Sequence, residues 1–237
     1  MSTTPYAKLL RYLRTQRGLT QNEVAKRLAL SRASYLALER GSRELTLKEA
    51  LAVTTLYSIS IDQLMHNTMP DFEKYQMMVR TLLRLAQVEK VALKKTKLAQ
   101  LLYLADMRTY FETKKSMSGM TYRHYEFGPA ADAYFRLIEE MELRGEINIT
   151  QVTREDYHMY EIKEARASTR QKLHLIGKRE QETLAAVFHA WKNTPTAELT
   201  HFILTQAPLR ETNLNEEIPY ELILKEEPHL VSFRHGY

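Results

Sequence analysis

The stretch from Gly18 to Gly41 constrains this chain more than any other. Leu9, Leu10 and Leu13, with Tyr6 and Tyr12, recur at helical spacing and stop at Gly18, a residue suited to the left-handed position just past a helix end. Thr20-Gln21-Asn22-Glu23 then reads as a capping box, in which the Thr hydroxyl accepts a free amide while Glu23 reaches back to the cap. A short helix follows with Val24, Ala25 and Leu28 inward, and Ser31 offers the next cap almost at once. A third helix runs from Arg32 towards Arg40, with Tyr35 and Leu38 on its buried side, and stops at Gly41. Two short helices, a tight turn and basic flanks describe a helix-turn-helix unit. Two further helices are expected at Leu47–Tyr57, carrying Leu47, Leu51 and Leu56, and at Ile61–Met65 under a Ser60 cap.

Charge falls on the same segment. Residues 1–66 carry 10 Lys/Arg against 5 acids, so the whole formal excess of +5 sits there and residues 67–237 are neutral. A compact basic module joined to a neutral body points to a polyanion as the partner of the first part alone. An ordinary solvated surface would also account for so modest a charge.

Gly18-Leu19-Thr20-Gln21, Ala25, Leu28, Ser31-Arg32, Leu38-Glu39-Arg40-Gly41 and Ile61-Asp62-Gln63-Leu64 together resemble the five-helix DNA-binding domain of the phage repressor and Cro family. The resemblance implies that Gln21 and Asn22 face backbone phosphates. It points Arg32, Ala33 and Ala37 into the major groove, puts Arg40 and Arg43 on phosphates beyond it, and counts Ser31 and Ser34 among the DNA-binding residues. Of these, Arg32 alone can give a bidentate pair to guanine, while Ala33 and Ala37 offer thymine a methyl contact. Base reading is therefore lean, phosphates carry much of the affinity, and a homodimer on repeated half-sites of operator DNA is the expected arrangement. Many members place Gly between the two helices. Here Ala29-Leu30 occupies the turn, and Ala29 must accept a strained conformation costing about 1 kcal/mol.

The remainder has ordinary globular composition. With 237 residues, 44% hydrophobic and 27% charged, the chain buries a substantial core and is not a disordered polymer. Its longest apolar runs, Leu101–Ala105 and Leu184–Phe188, fall far short of the roughly 20 residues that span a membrane. There is no apolar N-terminal stretch and no cysteine, so a cytoplasmic protein without disulfides, thiolate metal sites or a Cys nucleophile is expected. Residues 67–71, with Pro70, read as a linker between a domain at 1–66 and a body at 72–237.

In the body, Phe72–Val88 is an amphipathic helix, Lys90–Lys97 a solvated helical connection, and Lys97–Phe111 a buried central helix capped by Thr96. Thr121–Pro129 is extended and ends in a Gly-Pro turn that opens a helix over Ala130–Arg144. Ile147–Val152 and Tyr157–Ile162 alternate as the one convincing hairpin, turning at Thr153–Asp156. Thr183–Trp191 and Glu198–Leu204 are helices with a capping residue near each start, and the tail is mostly irregular. The fold class is thus mainly α: a five-helix repressor-type domain followed by a mostly helical domain with one small β-hairpin.

Lys97 to Asp106, Gly119-x-x-Tyr122, Glu126-Phe127-Gly128-Pro129, Leu199-Thr200-His201 and Ile218-Pro219-Tyr220 resemble the Panacea (SocA-like) antitoxin domain. Gln100 stands where the family more often has Lys. The resemblance implies neutralisation of a partner toxin, encoded nearby, by direct binding. Tyr122, Tyr125, Phe127 and Asp106 are the candidate toxin contacts. Large amphipathic rings concentrate binding energy, yet Tyr103, Tyr122, Tyr125 and Phe127 read equally as core, Tyr103 most of all. A lone carboxylate such as Asp106 on a buried helix is more often a structural acceptor than a catalyst. Residues 116–164 hold 10 acids and 5 bases, which fits either a basic toxin or a solvated face.

No enzyme chemistry is legible. The 7 glycines form no phosphate loop or dinucleotide fingerprint, there is no nucleophile elbow, and the 8 histidines lack ligand spacing. His201 reads as a partly buried, hydrogen-bonded histidine, and no metal or cofactor is expected. The sequence therefore points to an antitoxin that binds operator DNA and autoregulates. Its alternatives are a repressor whose body senses a small ligand, with no toxin partner, and an adaptor delivering a toxin to a protease.

Overall fold

The computed structural model describes residues 6–57, 59, 61–66, 70–154, 157–166 and 173–231. Ser60, most of the expected linker and the hairpin-turn residues Glu155 and Asp156 lie outside them. The chain divides into two compact units, residues 1–69 and 70–237.

The first unit consists of α1 (Ala7–Gln16), α2 (Gln21–Arg27), α3 (Arg32–Glu39), α4 (Leu47–Tyr57) and α5 (Ile61–His66). Its first three helices end by one device. Gly18 adopts φ +62°, and the amides of Gly18 and Leu19 return to the carbonyls of Thr15 and Arg14, each at 3.0 Å. Gly41, at φ +69°, closes α3 in the same way through Ser42 N to Ala37 O at 3.0 Å. Leu9, Leu10, Val24, Tyr35, Leu38 and Val53 meet in a common core. On α4 the buried face is Ala50, Val53 and Tyr57, whereas Leu47 and Leu51 are 74% and 53% exposed. Of the three leucines read on this helix, only Leu56 packs against the core.

In the second unit, α6 (Phe72–Val88) starts at Asp71, whose carboxylate accepts Lys74 N at 2.8 Å, so Asp71 belongs to the helix cap rather than to a linker. Lys90, at φ +57°, ends α6, and the chain runs on extended into β1 (Leu93–Lys94). The expected helical connection at 90–97 is therefore corrected. Pairing of β1 with the later strand β5 (Tyr157–Glu164) holds Lys94 extended, and α7 (Lys95–Thr113) begins there, ahead of the expected Thr96 cap. Every residue of α7 from Lys97 to Met107 is buried, so it is the axle of the unit.

A second hairpin follows, formed by β2 (Tyr122–Tyr125) and β3 (Gly128–Ala131). Gly128-Pro129 opens a strand here rather than a helix, because Glu126-Phe127 make the turn and Gly128 follows it at φ +102°. Helix α8 (Tyr134–Leu143) starts only after it. Strands β4 (Ile147–Arg154) and β5 pair antiparallel as the expected hairpin, but Thr153 and Arg154 belong to β4 rather than to the turn, so that Arg154 stands opposite Tyr157, Val152 opposite Met159 and Ile149 opposite Ile162, in a sheet ordered β1-β5-β4. Glu164, at the end of β5, is buried against α6 by Arg80 at 3.2 Å and Arg84 at 2.7 Å. Then come α9 (Lys178–Trp191), α10 (Thr196–Leu204), α11 (Ala207–Arg210) and 3₁₀ helices at Tyr220–Lys225 and Pro228–Leu230. Helix α9 opens well before Thr183, which is buried within it and donates to Arg179 O at 3.1 Å; Gly177 and Glu180 form its cap. Among the described residues no helix is long and apolar enough to cross a membrane.

Candidate functional site

In the first unit the candidate surface is built by α2, the turn after it and α3. Thr20 Oγ1 accepts Glu23 N at 3.3 Å and Glu23 returns to Thr20 N at 2.7 Å, which completes the capping box read from the sequence. The turn is a left-handed cap with Ala29 at φ +54°, where Leu30 N reaches Ala25 O at 2.8 Å. Ser31 Oγ accepts Ser34 N at 3.0 Å and lies 2.8 Å from Ser34 Oγ. These two serines are thereby committed to starting α3.

A buried carboxylate fixes the angle between the helices. Glu39 of α3 accepts Arg14 Nε of α1 at 2.6 Å and Gln21 Nε2 of α2 at 3.0 Å. Burial alone would raise the Glu39 pKa, but the hydrogen bonds from Arg14 and Gln21 outweigh it and hold the carboxyl below its ordinary value. The same bond raises Arg14. Gln21, a candidate phosphate contact, thus has its amide engaged inside the unit. Arg43 is held similarly, by Glu49 at 2.7 Å, with its Nη1 left without a partner.

What remains free is informative. Asn22, Arg32, Ala33 and Arg40 are exposed, and neither guanidinium has a hydrogen bond or ion pair among the described residues. Ala37 is half-buried beside them. Arg32 at the start of α3 and Arg40 at its end therefore present unspent cationic forks along one short helix.

The second unit separates the four candidate partner contacts into two pairs. Asp106 and Tyr122 are fully buried. Asp106 accepts Ser116 Oγ at 3.0 Å, Met117 N at 2.7 Å, Ser118 N at 3.0 Å and Tyr122 OH at 2.9 Å, as well as Ser118 Oγ. Burial pushes its carboxyl pKa up against those donors. A folded partner reaches neither residue; they pin the 116–120 loop and β2 to α7. Tyr103, also fully buried, packs edge-on against Tyr122 at 5.3 Å.

Tyr125 and Phe127 lie at the surface instead. Their rings stack at 5.3 Å with an interplanar angle of 8°, and Phe135 of α8 meets Phe127 edge-on at 5.6 Å. Phe127 is 37% exposed at the tip of the β2–β3 turn. Gln100 of α7 locks that turn from inside, donating Nε2 to Phe127 O at 2.8 Å and to Thr200 Oγ1 at 2.7 Å. The side chain is buried and its Oε1 has no partner. A Cβ on Gly128 would come 2.8 Å from Gln100 Nε2, so a larger residue would displace the locking amide as well as strain the backbone at φ +102°. Sequence reading missed Gln100 and Phe135, whose roles depend on chain segments far apart. His201 is exposed rather than partly buried. No cluster of His, Cys, Asp or Glu able to hold a metal exists among the described residues.

Comparison with known proteins finds one family match within each unit. Residues 10–64 match the helix-turn-helix family HTH_3, and residues 98–208 match the antitoxin SocA-like Panacea domain. An uncharacterized HTH-type transcriptional regulator of Methanocaldococcus jannaschii is 33% identical over 55 residues, 23% of this chain and 83% of that protein. No solved structure matches the chain. Through its first unit the chain belongs to the helix-turn-helix family, and it joins to that unit, in one polypeptide, a region matching the SocA-like Panacea antitoxin domain.

Proposed function

We propose that this protein is a cytoplasmic, non-enzymatic antitoxin that also represses its own operon. Residues 1–66 bind operator DNA as a homodimer, and residues 72–237 neutralise a protein toxin encoded nearby by direct contact. The observation that carries the reading is the joining, in one chain, of a helix-turn-helix with unengaged Arg32 and Arg40 to a Panacea-matching unit with a locked aromatic surface. Arg32 reads a base edge, Arg40 and Asn22 hold phosphates, and Ala33 and Ala37 add methyl contacts. Tyr125 and Phe127 serve as anchors for the toxin. Toxin bound to the folded unit is removed by mass action.

A growth assay tests this. Induction of the neighbouring gene should stop growth, and co-expression of this chain should restore it, while the purified chain should shift its own promoter at low salt. A harmless neighbour would sink the antitoxin reading. A toxin whose level falls on co-expression, rather than persisting in a complex, would assign delivery to a protease instead.

One observation favours a ligand-sensing regulator. A groove of about 490 Å³ runs between α6 and α9, with Leu85, Val88, Leu173 and Ala185 among its lining and Lys178 and Glu182 in its walls. That volume suits a small molecule. A harmless neighbour together with a metabolite that raises the melting temperature and releases the operator would establish this second reading.

A further inference from the structure

We propose that the Tyr125–Gly128 turn and the adjoining face of α8 dock an arginine-bearing segment of a protein partner; this deepens the toxin-binding reading and rests on it. Turns ordinarily carry small polar residues, yet this one presents an exposed phenylalanine. The ring is held rigid, stacked on Tyr125, braced by Phe135 and anchored through its own carbonyl by Gln100. An anchor ordered before binding spends little further entropy on association.

The charges around it select the partner. Glu126 precedes Phe127 in the turn, and Glu139 stands one helical turn beyond Phe135 on α8. Both are exposed, and neither has a hydrogen bond or ion pair among the described residues. The nearby cations face carboxylates or a ring of their own, Arg136 the most loosely. Arg123 is paired with Asp132 at 2.8 Å, Arg136 lies 3.8 Å from Glu140, and Lys95 Nζ sits 5.4 Å from the centre of the Phe135 ring. Electron-rich ring faces beside unpaired carboxylates suit one group above others. A guanidinium stacks on a ring while its N–H fork meets a carboxylate. Lysine supplies the charge without the planar stack, and an acidic or purely apolar segment supplies neither.

The test uses the isotope-labelled full chain, titrated with a short arginine-rich peptide and with length-matched lysine-rich, glutamate-rich and leucine-rich peptides. The arginine peptide should shift the resonances of Tyr125, Glu126, Phe127 and Phe135 and bind at least about threefold tighter than the lysine one. Phe127→Ala, and separately Glu126→Gln with Glu139→Gln, should each weaken it by a similar factor. Shifts elsewhere only, equal binding of the leucine or glutamate peptide, or indifference to these surface substitutions would overturn the proposal. In the growth assay, Glu126→Lys with Glu139→Lys should abolish rescue. Undiminished rescue by that variant would overturn the proposal and leave the antitoxin reading intact. Failure of the unaltered chain to rescue would instead remove the antitoxin reading, and the peptide titration then decides the surface by itself.

Discussion

Ala29 holds φ +54° in the turn between α2 and α3, in a capping geometry that Gly18 and Gly41 serve elsewhere in the same unit. A left-handed alanine costs roughly 1–2 kcal/mol. Replacement by glycine removes that strain and returns about 0.5–1 kcal/mol to the unfolded chain as entropy. Ala29→Gly should therefore stabilise the first unit by about 0.5–1 kcal/mol, read as a higher denaturant midpoint with unchanged slope; a lower midpoint would contradict the strain. This position was legible from sequence because helix caps are local: Thr20 with Glu23, and Ser31 with Ser34, lie within one turn. The roles of Gln21 and Arg43 were not legible. Gln21 and its partner Glu39 sit 18 residues apart, and only the packing of α2 against α3 brings them to 3.0 Å. Between the two free arginines, Arg32 should discriminate bases and Arg40 should not. Arg32→Ala should cost about 1–3 kcal/mol at one operator position, whereas Arg40→Ala should weaken all sequences alike and flatten the salt dependence by about one phosphate. Competition binding against single-base operator variants separates the two.

At the scale of elements, one carboxylate and one amide set the working geometry. Glu39 ties α1 and α2 to α3, and its pKa lies below the ordinary value in the folded state. A depressed carboxyl stabilises the fold above its unfolded pKa and loses that contribution as pH falls through the folded one. The first unit should accordingly lose stability on acidification below the ordinary carboxylate range. Glu39→Gln should remove this part of the pH dependence while lowering stability at neutral pH by about 2 kcal/mol. Thermal melts across pH check both; an unchanged acid limb in the variant would show that other carboxyls govern it. In the second unit, Gln100 plays the corresponding part for the β2–β3 turn. Gly128→Ala forces a left-handed alanine and drives its Cβ against Gln100 Nε2. Loss of about 2 kcal/mol or more in the denaturation midpoint is expected. That hairpin escaped sequence reading because Gly-Pro ordinarily marks a turn. Here Pro129 lies within β3, opposite His124, and the actual turn falls on Glu126 and Phe127, which carry no turn signature. The β4–β5 hairpin, by contrast, was visible in its alternation, although the pairing runs on through Thr153 and Arg154, which the alternation had left in the turn.

The two units have separate cores. The cluster around Tyr35 and Val53 contains only residues of the first unit, and the cluster around α7 only residues of the second. The formal excess of +5 is likewise confined to residues 1–66. Substitutions that change a surface on one unit without touching its core should therefore leave the other unit's activity in place. For the full-length chain, Arg32→Ala with Arg40→Ala should abolish the operator shift and still restore growth against the toxin. Phe127→Ala should do the reverse, losing rescue while binding the operator with the unaltered salt slope. Removal of the Phe127 ring forfeits its contacts with Tyr125 and Phe135 but leaves the Gln100 bond to the main-chain carbonyl available, and the retained operator shift reports that the variant still folds. Loss of both activities in either variant would mean that the units act only together, with toxin occupancy and operator affinity bound by a coupling free energy. Linkage would then require toxin to change operator affinity by the factor by which operator changes toxin affinity. Titrating one ligand at saturating levels of the other measures that factor. A value of one, together with the separation of activities, would make the protein two independent binding modules on one chain.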